Sequence, residues 1–217
     1  MERLRFRTLG ELLYEVMTGL LFYPRTLWRV LLWPAETPTP VDRGDTVNAP
    51  PDLVSPPLFL LISIGLAQVL DLSLRGELGE AAAPGLGPLL FRALAFSLFP
   101  LVMAAGALRR EGRPVDHATL REPFELQCLC AAPFALSLSV AAILLGSPVA
   151  ATRLTGGAIA AAAVAWYLSV QTRWLRRRLA VGAFQAFRTA TWLFAVALAC
   201  CLPPALLILG PRGPQAG

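Results

Sequence analysis

Five long apolar runs constrain the fold of this chain more than any other feature. Each run holds 17 to 22 residues, and a helix of that length, at about 1.5 Å per residue, crosses the roughly 30 Å hydrocarbon core of a bilayer. The runs are Leu58–Leu74, Leu89–Leu108, Phe124–Leu145, Leu154–Thr172 and Thr189–Leu209. They predict an all-α polytopic membrane protein whose five transmembrane helices occupy residues 58–209.

The charged residues are few, and the basic ones are of a single type. Charged side chains make up 15% of the 217 residues and apolar ones 56%, whereas soluble domains carry about 25% charged residues. All nineteen basic residues are arginines, and they lie between the apolar runs instead of on one soluble face. We therefore expect the net charge of +5 to contact anionic membrane lipids and not nucleic acid. Lysine-free, Ala- and Leu-rich composition is typical of GC-rich bacterial genomes, so we expect a bacterial inner membrane.

The distribution of the arginines predicts how the helices are oriented. Fifteen of the nineteen precede the first run or lie in the second and fourth connections between runs, and four lie elsewhere. Because cytoplasmic loops carry the excess of basic residues, we expect the N-terminus in the cytoplasm and the short tail, 210–217, on the periplasmic or extracellular side. The fourth run is the weakest, since Gly156-Gly157 and many alanines make it mildly hydrophobic. If it did not insert, the orientation of everything after it would change. Its small residues indicate close helix packing.

Residues 1–33 predict two short amphipathic helices in the membrane interface. Apolar side chains in Leu9–Leu21 recur at the i, i+3, i+4 spacing of one helix face. Pro24 ends this helix and suits the first turn of a second one. Neither helix is long enough to span the bilayer. The predicted docking face, for a partner or for lipid, consists of Leu9, Leu13, Val16 and Leu20.

A proline-rich stretch, residues 34–57, follows these helices. It holds seven prolines with little apolar content between them, and it is predicted to be an extended, solvated linker. Such a linker lets the interfacial helices dock independently of the first span.

Tryptophan and arginine side chains near the ends of the helices are expected at the lipid headgroups. Each arginine beside an anionic leaflet contributes about 1 kcal/mol, although the positive-inside bias alone also accounts for these arginines. The predicted lipid-contacting residues are Arg25, Trp28, Arg29 and Trp33 before the first run, and Trp174, Arg176, Arg177 and Arg178 after the fourth.

Three features resemble the Yip domain, a family of five-span membrane proteins with a cytoplasmic N-terminus. They are the segment Leu20–Arg25 with its helix-opening proline, the loop Gly112–Arg121 leading to Ala131–Phe134, and the five-span count with its charge bias. The resemblance extends from Leu9 to Leu209 and implies the same membrane fold. For the eukaryotic members it implies binding of small GTPases and a part in membrane traffic. For a bacterial chain it implies a non-enzymatic binding or organising role.

Asp71 is the one acidic residue well inside an apolar run, and Gln68 lies three residues before it. A carboxylate within the membrane is a candidate carrier of protons or ions. Arg75 follows at i+4 near the end of the run, so an interfacial ion pair explains Asp71 without transport. We expect Asp71 to be structural, with Asp71 and Gln68 as the possible intramembrane polar site.

Candidate metal ligands cluster where the chain enters the third run. The cluster consists of His117, Glu122, Glu125, Gln127, Cys128 and Cys130. Cys128 follows His117 by eleven positions, and C-x-C with a single histidine matches no zinc pattern of recurring ligand pairs. We therefore expect no metal, and Asp116 is predicted to cap a helix that begins at His117.

No catalytic motif is present in the sequence. Gly-rich phosphate loops, H-E-x-x-H and G-x-S-x-G are all missing, and His117 is the sole histidine. The pairs Cys128/Cys130 and Cys200/Cys201 lie in apolar runs, as is typical of buried free thiols. We expect neither an enzyme nor a cofactor.

These features favour a non-catalytic accessory or organising protein that docks to a larger inner-membrane complex, with other integral membrane proteins as partners. A small transporter or permease subunit for protons, ions or lipid is the alternative. The two differ in one requirement, because a transporter needs a polar path at mid-membrane. The apolar runs place almost no charge there.

Overall fold

A computed structural model describes residues 9–32, 54–75 and 86–209 of the chain. In these ranges every regular element is an α-helix, which confirms the all-α prediction. The side chains of residues 9–13, 15, 75, 86–93 and 202–209 lie outside the description. The helices are α1 (Leu9–Leu32), α2 (Pro56–Arg75), α3 (Leu86–Arg110), α4 (His117–Leu145), α5 (Ala150–Leu179) and α6 (Ala183–Leu209).

Four segments of these helices are long and apolar enough to cross a membrane. They are Pro56–Leu74, His117–Leu145, Ala150–Leu179 and Ala183–Cys201. The weakest predicted run therefore lies in a helix of 30 residues with sufficient hydropathy. The second run, Leu89–Leu108, lies inside the 25-residue α3. Several apolar helices thus make this a membrane-embedded protein, while the count of five spans stays a prediction.

The N-terminal segment forms one helix where the sequence predicted two. α1 continues through Pro24, which lies inside it. A proline in a helix interior lacks the N–H that would bond the carbonyl of residue i−4, so it weakens a helix without always ending it. Tertiary contacts hold α1 on both sides of the proline: Gly19 and Tyr23 precede it, Thr26 and Val30 follow it, and all four side-chain positions are buried on one face.

That face packs on the bundle, which corrects the expectation of independent docking. The hydroxyls of Tyr23 and Ser63 lie 2.9 Å apart, and the ring of Tyr23 contacts that of Phe59 with centroids 5.1 Å apart. At the other end of α1, the indole Nε1 of Trp166 donates a hydrogen bond of 3.3 Å to the carbonyl of Leu31. This bond satisfies one of the carbonyls that a helix C-terminus leaves unpaired.

α4 lies at the centre of the molecule and contacts α1, α2, α3 and α5, while α6 packs between α3 and α5. The result is a ring of four helices, α3 to α6, with α2 and α1 packed on the outer side of α4. Two apolar cores follow from this arrangement. Cys130 faces the core shared by α3 to α6, and Cys128 faces the core shared by α1, α2 and α4.

Small residues bring α5 close to α4, as the sequence predicted. A Cβ placed on Gly156 would lie only 2.9 Å from the carbonyl oxygen of Ala141 and from the amide nitrogen of Leu145. The neighbouring Gly157 faces open space, with nothing within 4 Å of such a Cβ. One glycine of the pair is therefore required by packing and the other is not.

We expect Gly156→Ala to destabilise the protein and Gly157→Ala to leave it unchanged or slightly more stable. Overpacking against rigid backbone costs about 1–3 kcal/mol, whereas alanine in an open helix position gains about 0.5–1 kcal/mol over glycine. Thermal unfolding of the detergent-solubilised variants, followed by tryptophan fluorescence, measures both. Equal midpoints for the two variants would contradict the close approach of α4 and α5.

Candidate functional site

The polar end of the four-helix ring is the candidate functional site. α3 ends there, α4 begins, α5 ends and α6 begins, because the connections 111–116 and 180–182 are short and make their helices antiparallel. The arginine bias predicts this end in the cytoplasm. Charged side chains from three of the four helices meet at it.

The turn from α3 to α4 is held by backbone and side-chain hydrogen bonds. Gly112 adopts a positive φ of 68°, and the amide of Arg113 bonds the carbonyl of Leu108 at 3.1 Å, as in a Schellman motif. Asp116 Oδ1 then accepts bonds from the amides of Ala118 at 3.0 Å and Thr119 at 2.8 Å. These bonds, led by that of Thr119, lower the pKa of the Asp116 carboxyl. Asp116 is thus the N-cap that the sequence predicted.

Arg178, near the end of α5, joins the turn to the ring. Its Nε bonds Glu111 Oε1 and its Nη1 lies 3.6 Å from Glu122 Oε1. The guanidinium also lies 5.3 Å from the centre of the Trp174 ring, within range of a cation–π interaction. With only 15% of its side chain exposed, Arg178 links α5 to α3 and α4. The sequence had grouped it with the lipid-contacting arginines, of which Arg176 and Arg177 are indeed exposed.

Two further polar contacts extend this end of the ring. Arg110 Nη1 donates to Thr189 Oγ1 at 3.2 Å, which connects α3 to α6. Arg121 Nε donates to Glu125 Oε1 at 3.0 Å within α4. Glu125 is buried, and its second carboxylate oxygen has no hydrogen-bond partner among the residues that the structure describes.

A buried pair of glutamines lies deeper in the ring. Gln127 Nε2 donates to Gln171 Oε1 at 2.9 Å, and Gln171 Nε2 donates to Gln127 Oε1 at 2.6 Å. The hydroxyl of Tyr167 adds a third bond to Gln127 Oε1 at 3.3 Å. Both glutamines are at most 1% exposed. The network ties α4 to α5 through side-chain amides that are buried from solvent.

Sequence reasoning missed this network. It considered Gln127 only as part of a rejected metal cluster, and it overlooked Gln171 and Tyr167. A usable signal was present, because two glutamines lie at similar depths in adjacent antiparallel runs. A polar side chain in an apolar surrounding must find a partner.

Beyond the glutamines, four aromatic side chains fill the centre of the four-helix ring. Each of α3 to α6 contributes one, and all pairs of ring centroids lie 4.7 to 6.0 Å apart. These distances are in the favourable range for aromatic pairs. The four residues are Phe99, Phe134, Tyr167 and Phe194.

The other predicted chemical residues are not brought together. His117 is exposed at the start of α4, while Cys128 and Cys130 are buried on different sides of it. Within the described ranges no three His, Cys, Asp or Glu side chains form a metal-binding group. All four cysteines are free thiols; contrary to the expectation of burial, Cys200 is exposed and Cys201 is half-buried.

The predicted intramembrane and interfacial residues lie as follows. Asp71 is buried in the last turns of α2 with Gln68 half-buried one turn before it, and the side chain of Arg75 falls outside the described residues. Trp28 and Arg25 are exposed on α1, and Arg29 is half-buried. Of the predicted docking face, Val16 and Leu20 are exposed. The side chains of Leu9 and Leu13, and the whole of Trp33, lie outside the described residues.

We expect the glutamine pair to behave as one unit in a double-mutant cycle. Gln127→Leu or Gln171→Leu alone leaves a buried amide unpaired, at a cost of about 1–3 kcal/mol. The double variant leaves no unpaired amide and loses only the acceptor of the Tyr167 hydroxyl, so its loss should be smaller than the sum of the two single losses. The matched control is Gln185→Leu, since Gln185 is exposed on α6. Unfolding free energies in detergent measure all four proteins, and additive losses at the two positions would contradict the pairing.

Comparisons with known proteins do not place this geometry in a family. No family model matches the chain, and neither a curated protein nor a solved structure matches it. The resemblance to the Yip domain, neither supported nor refuted by these comparisons, stays a hypothesis that rests on the residues quoted for it.

Proposed function

We propose that this chain is a non-catalytic accessory or organising protein of the bacterial inner membrane that docks to a larger membrane complex. In this proposal it has five spans, a cytoplasmic N-terminus and a C-terminus on the opposite side. Four of the five spans are the apolar segments of α2, α4, α5 and α6, and the remaining one is α3. α3 is 25 residues long and packs against α4 and α6 like the neighbouring helices. The helix of the N-terminal segment, α1, provides the docking surface.

The exposed apolar face of α1 is the observation that carries the proposal. α1 contacts the bundle through the narrow face that contains Gly19, Tyr23, Thr26 and Val30. Its opposite side presents large apolar side chains at helical spacing, each more than half exposed. These residues are Tyr14, Met17, Leu21, Trp28 and Leu32.

An apolar stripe of this extent supports a contact with another molecule. Contiguous exposed apolar surfaces are typical of protein–protein or membrane contacts, and tryptophan is enriched among the residues that dominate binding energy at interfaces. Because the same helix is fixed to the bundle by Tyr23–Ser63 and Trp166–Leu31 contacts, a partner bound to α1 would be held firmly to the whole protein.

A small transporter or permease subunit is the second candidate. The buried Glu125, with one carboxylate oxygen unpartnered among the described residues, favours it, since intramembrane carboxylates often mark ion paths. The four aromatic rings argue against it, because they fill the centre of the helix ring just beyond Gln127 and Gln171. An accessory role requires no path, so it agrees better with this closed interior.

We expect reporter fusions to show the two predicted ends on opposite sides of the membrane. A reporter fused to a truncation after Glu111 should be cytoplasmic, because two proposed crossings, α2 and α3, precede it. One fused after Gly217 should be periplasmic, because three more crossings, α4 to α6, follow Glu111. If both reporters are cytoplasmic, one of the five proposed crossings does not occur.

We expect Leu21→Glu combined with Trp28→Glu to release integral membrane proteins that co-purify with the wild-type chain in mild detergent. On entering the interface, the two introduced carboxylates would lose their water without gaining a partner, which is strongly unfavourable. The matched control, Leu21→Met with Trp28→Phe, keeps the face apolar and should retain the same proteins. Mass spectrometry of the three purifications measures the result. Retention by the charged variant would remove the main support for the proposed function.

A further inference from the structure

Two apolar hollows run side by side along the outer surface of α5 and α6 and share one wall, the ring of Phe187. The larger, of about 820 Å³, is lined mainly by α5, and its lining residues include Ala161, Val164, Leu168 and Arg173. The smaller, of about 360 Å³, is lined by α6, and its lining residues include Phe184, Arg188 and Trp192. Each hollow therefore combines apolar walls with one arginine.

The two hollows have the length of one membrane leaflet. The larger extends along α5 from Arg173 back to Ala160, and the smaller extends along α6 from Phe184 to Ala195. At about 1.5 Å per residue these stretches measure roughly 17 to 20 Å, close to half of the roughly 30 Å hydrocarbon core. Both begin at the polar end of the helix ring, where α5 ends and α6 begins.

The two arginines that line the hollows differ from Arg178 in the partners that they have. Arg178 is neutralised by Glu111 and Glu122. Arg173 and Arg188 are exposed, and neither forms an ion pair with an acidic side chain in the part of the chain that the structure describes. No acidic side chain of the described helices therefore neutralises their charge.

We propose that these hollows bind one diacyl phospholipid with an anionic headgroup, whose phosphate contacts Arg173 and Arg188 and whose two chains lie on either side of Phe187. Guanidinium groups bond phosphate oxygens in a bidentate geometry, and the two apolar hollows are suited to two hydrocarbon chains. The surface lies on candidate membrane-crossing helices, so bilayer lipid is the molecule that meets it. This site is independent of α1 and of the proposed docking function.

The test measures lipid retention on the purified full-length protein by native mass spectrometry in detergent, with phosphatidylglycerol and phosphatidylcholine as the probes. Arg173→Gln with Arg188→Gln should weaken phosphatidylglycerol binding at least tenfold. The matched control, Arg109→Gln with Arg153→Gln, removes the same charge from exposed arginines outside the hollows and should change binding less than twofold. Phosphatidylcholine, whose own choline cation neutralises the phosphate charge, should bind the wild type at least tenfold more weakly than phosphatidylglycerol. Equal losses for the two variants would show non-specific attraction between charges and overturn the proposal.

A second variant tests the chain-binding part of the site with the arginines intact. Ala161→Trp fills the larger hollow from an exposed position on α5 and should also reduce phosphatidylglycerol binding at least tenfold. Glycerol 3-phosphate, which has the headgroup phosphate without chains, should not compete with the lipid. Full competition by glycerol 3-phosphate would indicate a site for free phosphate esters, and a dimer disrupted by Ala161→Trp would indicate a second copy of the chain on this face. Either result would overturn the proposal.

Discussion

The contact among four aromatic rings at the centre of the helix ring is the interaction on which the other parts depend. Phe99, Phe134, Tyr167 and Phe194 come from four different helices, and each ring lies within 6.0 Å of the other three. Aromatic pairs are favourable only over a narrow range of distances, so the cluster sets the relative depth of α3 to α6. At that depth the amides of Gln127 and Gln171 meet, and the short connections come together at one polar end.

That polar end separates arginines that the sequence presents as equivalent. Arg176, Arg177 and Arg178 are consecutive, yet the rotation of α5 turns only Arg178 inward to Glu111 and Glu122. Hydrogen bonds around the turn, including those of Asp116, place the two glutamates where Arg178 reaches them. Arg176 and Arg177 stay exposed on the outer surface of α5. Positive-inside bias therefore describes the total charge, and helix rotation decides which arginines contribute to structure.

α1 contacts the bundle through a different face from the docking face that the sequence predicted for lipid or a partner. The sequence emphasised a leucine-rich face, of which Val16 and Leu20 are exposed, whereas the contact with the bundle contains Gly19, Tyr23 and Thr26. In water a leucine gains most by turning inward, but lipid tails are as apolar as leucine. Helix contacts in membranes depend instead on small residues that permit close approach and on hydrogen bonds. Gly19 and the Tyr23–Ser63 contact fit that rule, and so does Gly156 between α4 and α5.

The sequence by itself determined the helical class, the approximate extent of the long apolar helices, the N-cap at Asp116 and the close packing at Gly156. These follow from local physics: apolar length, hydrogen bonds within three residues and the absence of a side chain. It did not determine the continuation of α1 through Pro24, the pairing of Gln127 with Gln171 or the inward rotation of Arg178. Each of these depends on contacts between residues distant in the chain, such as the two glutamines, which are 44 positions apart. Tertiary structure decided them, because hydropathy marks which segments are apolar but not which face of an apolar helix meets its neighbour.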